Sequence, residues 1–127
     1  MNQPHALVID DNPQNRKILA QLLGKQGVNS TEVADPTQLQ SILSATEQID
    51  VVFLDLEMPG LDGFAVKTLL RAQLGKTPII AYTVHVSEMN AVQESGFDGF
   101  IAKPISGARF PEQLARILRG ESVWERA

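Results

Sequence analysis

The stretch Val51-Val-Phe-Leu-Asp55-Leu-Glu57-Met58-Pro59-Gly60-Leu-Asp62-Gly63 begins as a continuous β-favouring apolar run and breaks at an acid. A short run that is apolar at every position reads as a strand covered on both faces, the situation of a parallel sheet packed between helices. Pro59-Gly60 and Asp62-Gly63 mark a loop, and Phe64, Val66, Leu69 and Leu70 follow as a helix. The same strand-to-helix order recurs on either side.

Upstream, His5 to Ile9 is apolar and ends in Asp10-Asp11; Asn12 can cap and Pro13 suits the first helical position. Ile18, Leu19, Leu22 and Leu23 then predict a helix from Pro13 to Gln26, stopped by Gly27. Val28 to Ala34 reads as an edge strand, and Asp35-Pro36 opens a second helix carrying Leu39, Ile42 and Leu43. Downstream, Pro78 to Tyr82 is a strand ending at Thr83, and Ser87 is expected to cap a short helix running through Val92 to Gly96. Phe97 to Ala102 is a fifth strand ending at Lys103-Pro104; a last helix covers Ala108 to Arg119 with Phe110, Leu114, Ile117 and Leu118 inward. Residues 1–120 thus read as one domain and 121–127 as a patternless tail. Five strands alternating with five helices predict an α/β fold, a parallel sheet with helices on both faces.

Composition agrees with one ordinary globular domain: 127 residues, 43% hydrophobic and 20% charged. The absence of cysteine excludes disulfides, thiolate zinc sites and cysteine nucleophiles, so any metal is held by oxygen. A net charge of -4 argues against direct DNA binding. The opening MNQPH has no signal-peptide pattern, and no apolar run approaches the roughly 20 residues that span a bilayer, so the expected setting is cytoplasmic, away from membranes.

In open parallel sheets, ligands bind at the carboxyl ends of the strands. The residues there are Asp10, Asp11, Asp55, Thr83 and Lys103. Each is ordinary alone; an acidic pair before a helix is usually a cap, and Met58, Pro59 and Gly63 suit a plain turn. Their coincidence on one rim is not ordinary. Crowded carboxylates raise one another's pKa unless a cation intervenes, and an all-oxygen cluster favours Mg²⁺.

This ordered set resembles the receiver domain of two-component response regulators nearly end to end. Asp10-Asp11 stands where that family binds Mg²⁺, the stretch from Asp55 to Gly63 resembles its phosphoacceptor loop, and Thr83 and Lys103-Pro104 fit its remaining signatures. The resemblance implies a flavodoxin-like five-stranded parallel sheet of order 2-1-3-4-5. It also implies that Asp55 is a phosphoacceptor taking a phosphoryl group from phosphohistidine. Asp11, Asp55 and the Glu57 backbone carbonyl would ligate Mg²⁺, with Asp10 acting through coordinated water. Lys103 and Thr83 would contact the phosphoryl oxygens, Phe100 would be the switch aromatic, and the bond before Pro104 would be cis.

The implied donor is a histidine kinase or a histidine phosphotransfer protein, expected to touch Asn15, Arg16, Leu19, Met58, Pro59 and Ile105. A protein output partner would read Ala91 and Phe100. The implied output is partner choice rather than substrate turnover, so the chain reads as no enzyme beyond its own phosphotransfer and dephosphorylation. A stand-alone regulator is favoured over a receiver of a hybrid histidine kinase. An aspartyl-phosphate phosphatase would carry a second Asp where this chain has Glu57, and a flavin-binding relative would need a hydroxyl-rich loop after the first strand. Val84 follows Thr83 where the family usually has Ala or Gly; its stiff branched side chain is expected to hinder small donors and water, whereas His85 could oppose that effect. Trp124 is open to docking, partner contact or solvation.

Overall fold

The computed structural model describes residues 3–46, 48–60 and 62–125. Leu61 of the quoted loop, and Arg126 and Ala127 of the expected tail, lie outside them. Strands β1 (His5–Ile9), β2 (Asn29–Val33), β3 (Val51–Asp55), β4 (Ile79–Thr83), β5 (Gly99–Ala102) and β6 (Val123–Glu125) form one parallel sheet of order 2-1-3-4-5-6. Helices α1 (Pro13–Lys25), α2 (Leu39–Ala45), α3 (Gly63–Leu74), α4 (Met89–Glu94) and α5 (Phe110–Leu118) connect them.

The two faces of the sheet carry separate cores, sorted by strand alternation. Ala6, Val8, Val51, Phe53, Ile80, Tyr82 and Ile101 point toward α1 and α5, where they meet Leu19, Leu23, Phe110, Leu114 and Ile117. Leu7, Ile9, Val52, Leu54, Ile79, Ala81 and Phe100 point the other way, toward Leu39 of α2, Val66 and Leu70 of α3, and Met89 and Val92 of α4. Burial on both faces is why the central strands lack polar alternation.

The flavodoxin-like order is as expected, with a sixth strand added at the edge. Val123 is fully buried, and Trp124 packs against the α2–α4 core opposite Phe100 in the β5–β6 register. The expected tail is therefore part of the sheet. Three residues following Glu121-Ser122 carry no periodic signal; the strand depends on a distant glycine. A Cβ on Gly99 would lie 2.8 Å from the Val123 carbonyl oxygen, so only glycine lets β6 approach. Glu125 is then pinned by Arg109 Nη2 at 2.7 Å.

Other departures are local. Asn12 caps α1 by accepting from the Gln14 and Asn15 N–H groups at 2.9 and 3.1 Å. Ser87 caps nothing: it lies inside a 3-10 turn, Val86–Glu88, that leads into α4, as Pro36–Gln38 leads into α2. Leu118 is exposed rather than inward because it sits past the buried arc of its helix, as Leu69 does in α3.

Candidate functional site

Strand parity builds the site. Asp10, just past β1, and Asp55, the last residue of β3, are in phase with Val8 and Phe53, so both face the α1/α5 side, and Lys103 follows Ile101 onto the same side. Thr83, in phase with Ala81, lies across the sheet from them. Asp10 is fully buried and Asp55 is 3% exposed, whereas Asp11 stands at the surface. One carboxylate oxygen from each lies within 4.8 Å of the others.

Asp10 is held on every side. Its Oδ1 accepts the Asn12 N–H at 2.9 Å, and its Oδ2 accepts both the Tyr82 hydroxyl at 2.9 Å and Lys103 Nζ at 3.2 Å. Burial pushes its pKa up, but these donors, the adjoining Asp55 carboxyl and the Lys103 charge outweigh burial and hold it below the ordinary carboxylate value. Asp55 goes the other way. Burial first, then the adjoining Asp10 carboxylate and its charge, push Asp55 up to about 6, despite the Glu57 N–H donated to Oδ1 at 3.0 Å and Lys103 Nζ at 3.2 Å. The cluster has too few positive charges of its own. An all-oxygen set with that deficit suits a hard divalent cation.

Lys103 is aimed from β5. Its N–H donates to the Thr83 carbonyl at 2.9 Å, its bond to Pro104 is cis, and its ammonium lies 4.5 Å from the Tyr82 ring centroid. The Tyr82 hydroxyl stays protonated, because burial and the Asp10 charge both oppose its ionisation.

Across the sheet, the Thr83 hydroxyl donates to Glu57 Oε1 and accepts the His85 N–H at 3.2 Å. His85 Nε2 lies 3.1 Å from the same Glu57 oxygen, with the imidazole largely exposed. Val84 is 53% exposed beside them. Gly63 anchors the far end of the loop; a Cβ there would come within 2.7 Å of the Leu56 side chain and 3.3 Å of its Cα.

Residues 6–115 match the family model of the response regulator receiver domain. The chain belongs to that family. It is 33% identical over 107 residues to the osmosensing histidine protein kinase SLN1 of Saccharomyces cerevisiae, a match covering 78% of this chain and 9% of that protein. It is 37% identical over 103 residues to the sensor histidine kinase RcsC of Escherichia coli, covering 79% of this chain and 11% of that protein. The receiver thus spans about a tenth of the length of these relatives. Among solved structures, the Francisella response regulator 1452 receiver domain superposes with a TM-score of 0.78 at 25% identity, covering 92% of this chain and 98% of that one.

The receiver brings Asp10, Asp11, Asp55 and Lys103 together on one rim and places Thr83 and Glu57 beside it. Three expected surface residues are not at the surface. Leu19 and Met58 belong to the two cores and Phe100 is fully buried beside Trp124, so none is presented to a partner. In α1 it is the neighbouring Ile18, 52% exposed, that faces outward. It lines a shallow cavity with Asn15, Tyr82, Lys103, Pro104 and Ile105. Sequence reasoning also missed Tyr82 and the Glu57 side chain. The signal for Tyr82 was its parity with Ile80 in β4, which turns it toward the Asp55 side.

Proposed function

We propose that this receiver accepts a phosphoryl group from phosphohistidine onto Asp55 and changes its protein contacts as a result. The observation that carries this reading is the buried Asp55 carboxylate, 3.2 Å from Lys103 Nζ and grouped with Asp10 and Asp11 at the sheet's carboxyl edge. Asp11, Asp55 and the Glu57 carbonyl would hold Mg²⁺, with Asp10, whose lone pairs are already engaged, acting through water. The cation, when bound, offsets the charge shared by a nucleophilic carboxylate and an anionic donor.

The chain's own residues do the rest. Asp55 Oδ2 takes no hydrogen bond among the described residues, which leaves it for attack on phosphorus. Lys103 moves its ammonium from the carboxylates to a phosphoryl oxygen, and the Thr83 hydroxyl leaves Glu57 for another. The transferred group becomes an acyl phosphate, and water later resets the protein. Output is partner binding rather than turnover of a substrate.

The donor is a histidine kinase or histidine phosphotransfer protein whose helix seats against Ile18, Asn15 and Ile105 around the cavity leading to Lys103. Similarity to segments of sensor histidine kinases supports a second arrangement, a receiver working within a hybrid kinase. Phosphotransfer profiling tests the reading: labelled histidine kinases and phosphotransfer proteins are mixed with wild type and with Asp55→Asn. Label passing to wild type alone is expected; no transfer from any donor, or equal transfer to both, contradicts it.

A further inference from the structure

We propose that Tyr82 is a positioning residue that keeps Lys103 available to a phosphoryl group on Asp55, an inference that rests on the phosphoacceptor reading. Tyr82 is the cross-strand partner of Asp55 in the β3–β4 register and faces the same side. Its two polar features both address the Lys103 end of the site.

The ring is one. Lys103 Nζ sits 4.5 Å from its centroid, close enough for the negative π face to hold an ammonium. The ring itself is fixed from below: Phe53 meets it edge-on with centroids 6.5 Å apart at 86°, and Phe110 backs Phe53 at 6.0 Å. This aromatic column runs from α5 to the rim, so the cation's seat is anchored in the core.

The hydroxyl is the other. It shares Asp10 Oδ2 with Lys103, at 2.9 and 3.2 Å. If Lys103 were the only donor to that buried oxygen, its departure would strand a desolvated acceptor, and Asp10 would resist the move. With the Tyr82 hydroxyl in place, Asp10 Oδ2 keeps a partner when Lys103 swings to the phosphoryl oxygen. A purely apolar residue would fill the α1/α5 core as well; the hydroxyl and the π face are what it could not supply.

The test titrates Mg²⁺-saturated protein with beryllofluoride, a phosphoryl mimic, by calorimetry for wild type, Tyr82→Phe and Tyr82→Leu, each also in a Lys103→Met background. Tyr82→Phe, which keeps the ring, should weaken binding about 5-fold, and Tyr82→Leu about 20-fold, within the range of a lost hydrogen bond and a lost cation–π contact. In the Lys103→Met background neither should change binding by more than about 2-fold, because effects that act through one residue vanish with it. Wild-type affinity in both single variants, or the same losses without Lys103, overturns the proposal. If Lys103→Met binds nothing, the single variants decide: a graded loss supports it, and equal losses overturn it. Ligand-free NMR gives a separate readout, since the Lys103 ε-methylene protons should be shifted upfield by the ring in wild type and Tyr82→Phe but not in Tyr82→Leu; an unchanged shift in Tyr82→Leu also overturns it. Failure of wild type to take up beryllofluoride would contradict the phosphoacceptor reading, while the NMR comparison would still decide where Lys103 sits.

Discussion

Glu57 Oε1 accepts the hydroxyl of Thr83, the group that turns toward a phosphoryl oxygen in the proposed mechanism. The carboxylate therefore competes with the phosphoryl group for one hydroxyl, and its charge also repels an anionic donor. Glu57→Ala is expected to speed phosphorylation by acetyl phosphate by about 3- to 10-fold, the range of a net hydrogen-bond contribution of ~0.6–1.4 kcal/mol. Stopped-flow measurement of Trp124 emission, or timed mass spectra, reads the rate. A slower reaction would mean that Glu57 assists Thr83 rather than restraining it.

Asp55 is expected to make the metal-free fold less stable at neutral pH. Its carboxyl titrates near 6 in the folded chain against an ordinary value of 3.8. A raised folded pKa gives stability that is complete below the unfolded value and is lost as pH rises to the folded one, here across about 4 to 6. The loss at neutral pH is up to about 3 kcal/mol at ~1.4 kcal/mol per pH unit. Asp55→Asn should therefore melt several degrees above wild type at pH 7 without metal, with the gain fading below pH ~4. Mg²⁺ should raise the melting temperature of wild type and leave Asp55→Asn nearly unmoved. Thermal scans at a series of pH values check both.

Leu19 and Ile18 are adjacent in sequence and opposite in consequence. Leu19→Ala removes a fully buried side chain and should cost about 2–5 kcal/mol of stability, read by urea unfolding. Ile18→Glu should leave stability within about 0.5 kcal/mol and slow transfer from a protein donor at least 10-fold, with acetyl phosphate unaffected. Equal slowing from both donors would place the effect at the acidic cluster rather than at a docking surface.

The contrast shows what the sequence could convey. Continuous apolar runs reveal β1, β3 and β4 because both faces of those strands are buried, and the acids after β1 and at the end of β3, with Thr83 ending β4, mark the rim. Helix phase was coarser: Ile18, Leu19, Leu22 and Leu23 all suit one stripe, while α1 buries Leu19 and Leu23 and leaves Ile18 a third of a turn away. Phe97 and Asp98 read as the start of β5 but form its entry, where the Asp98 carboxylate accepts the Ile79 N–H at 2.9 Å and pairs with Arg71. β6 was invisible because its partner is an edge set by Gly99, far away in sequence.

That edge is open to direct test. Gly99→Ala should push β6 off β5 and shift Trp124 emission to the red, since Trp124 is half-buried on the sheet. Val123→Ala, which removes two methyl groups from a fully buried site, should cost about 2 kcal/mol in urea unfolding with a smaller emission change. Unchanged emission in Gly99→Ala would mean that β6 does not need the glycine.

The phosphoacceptor assignment is tested most directly by intact-mass and peptide-mapping spectrometry after incubation with acetyl phosphate and Mg²⁺. A single phosphoryl adduct mapping to Asp55, absent in EDTA and absent from Asp55→Asn, is the predicted result; an adduct that persists in Asp55→Asn or forms equally without metal would contradict it.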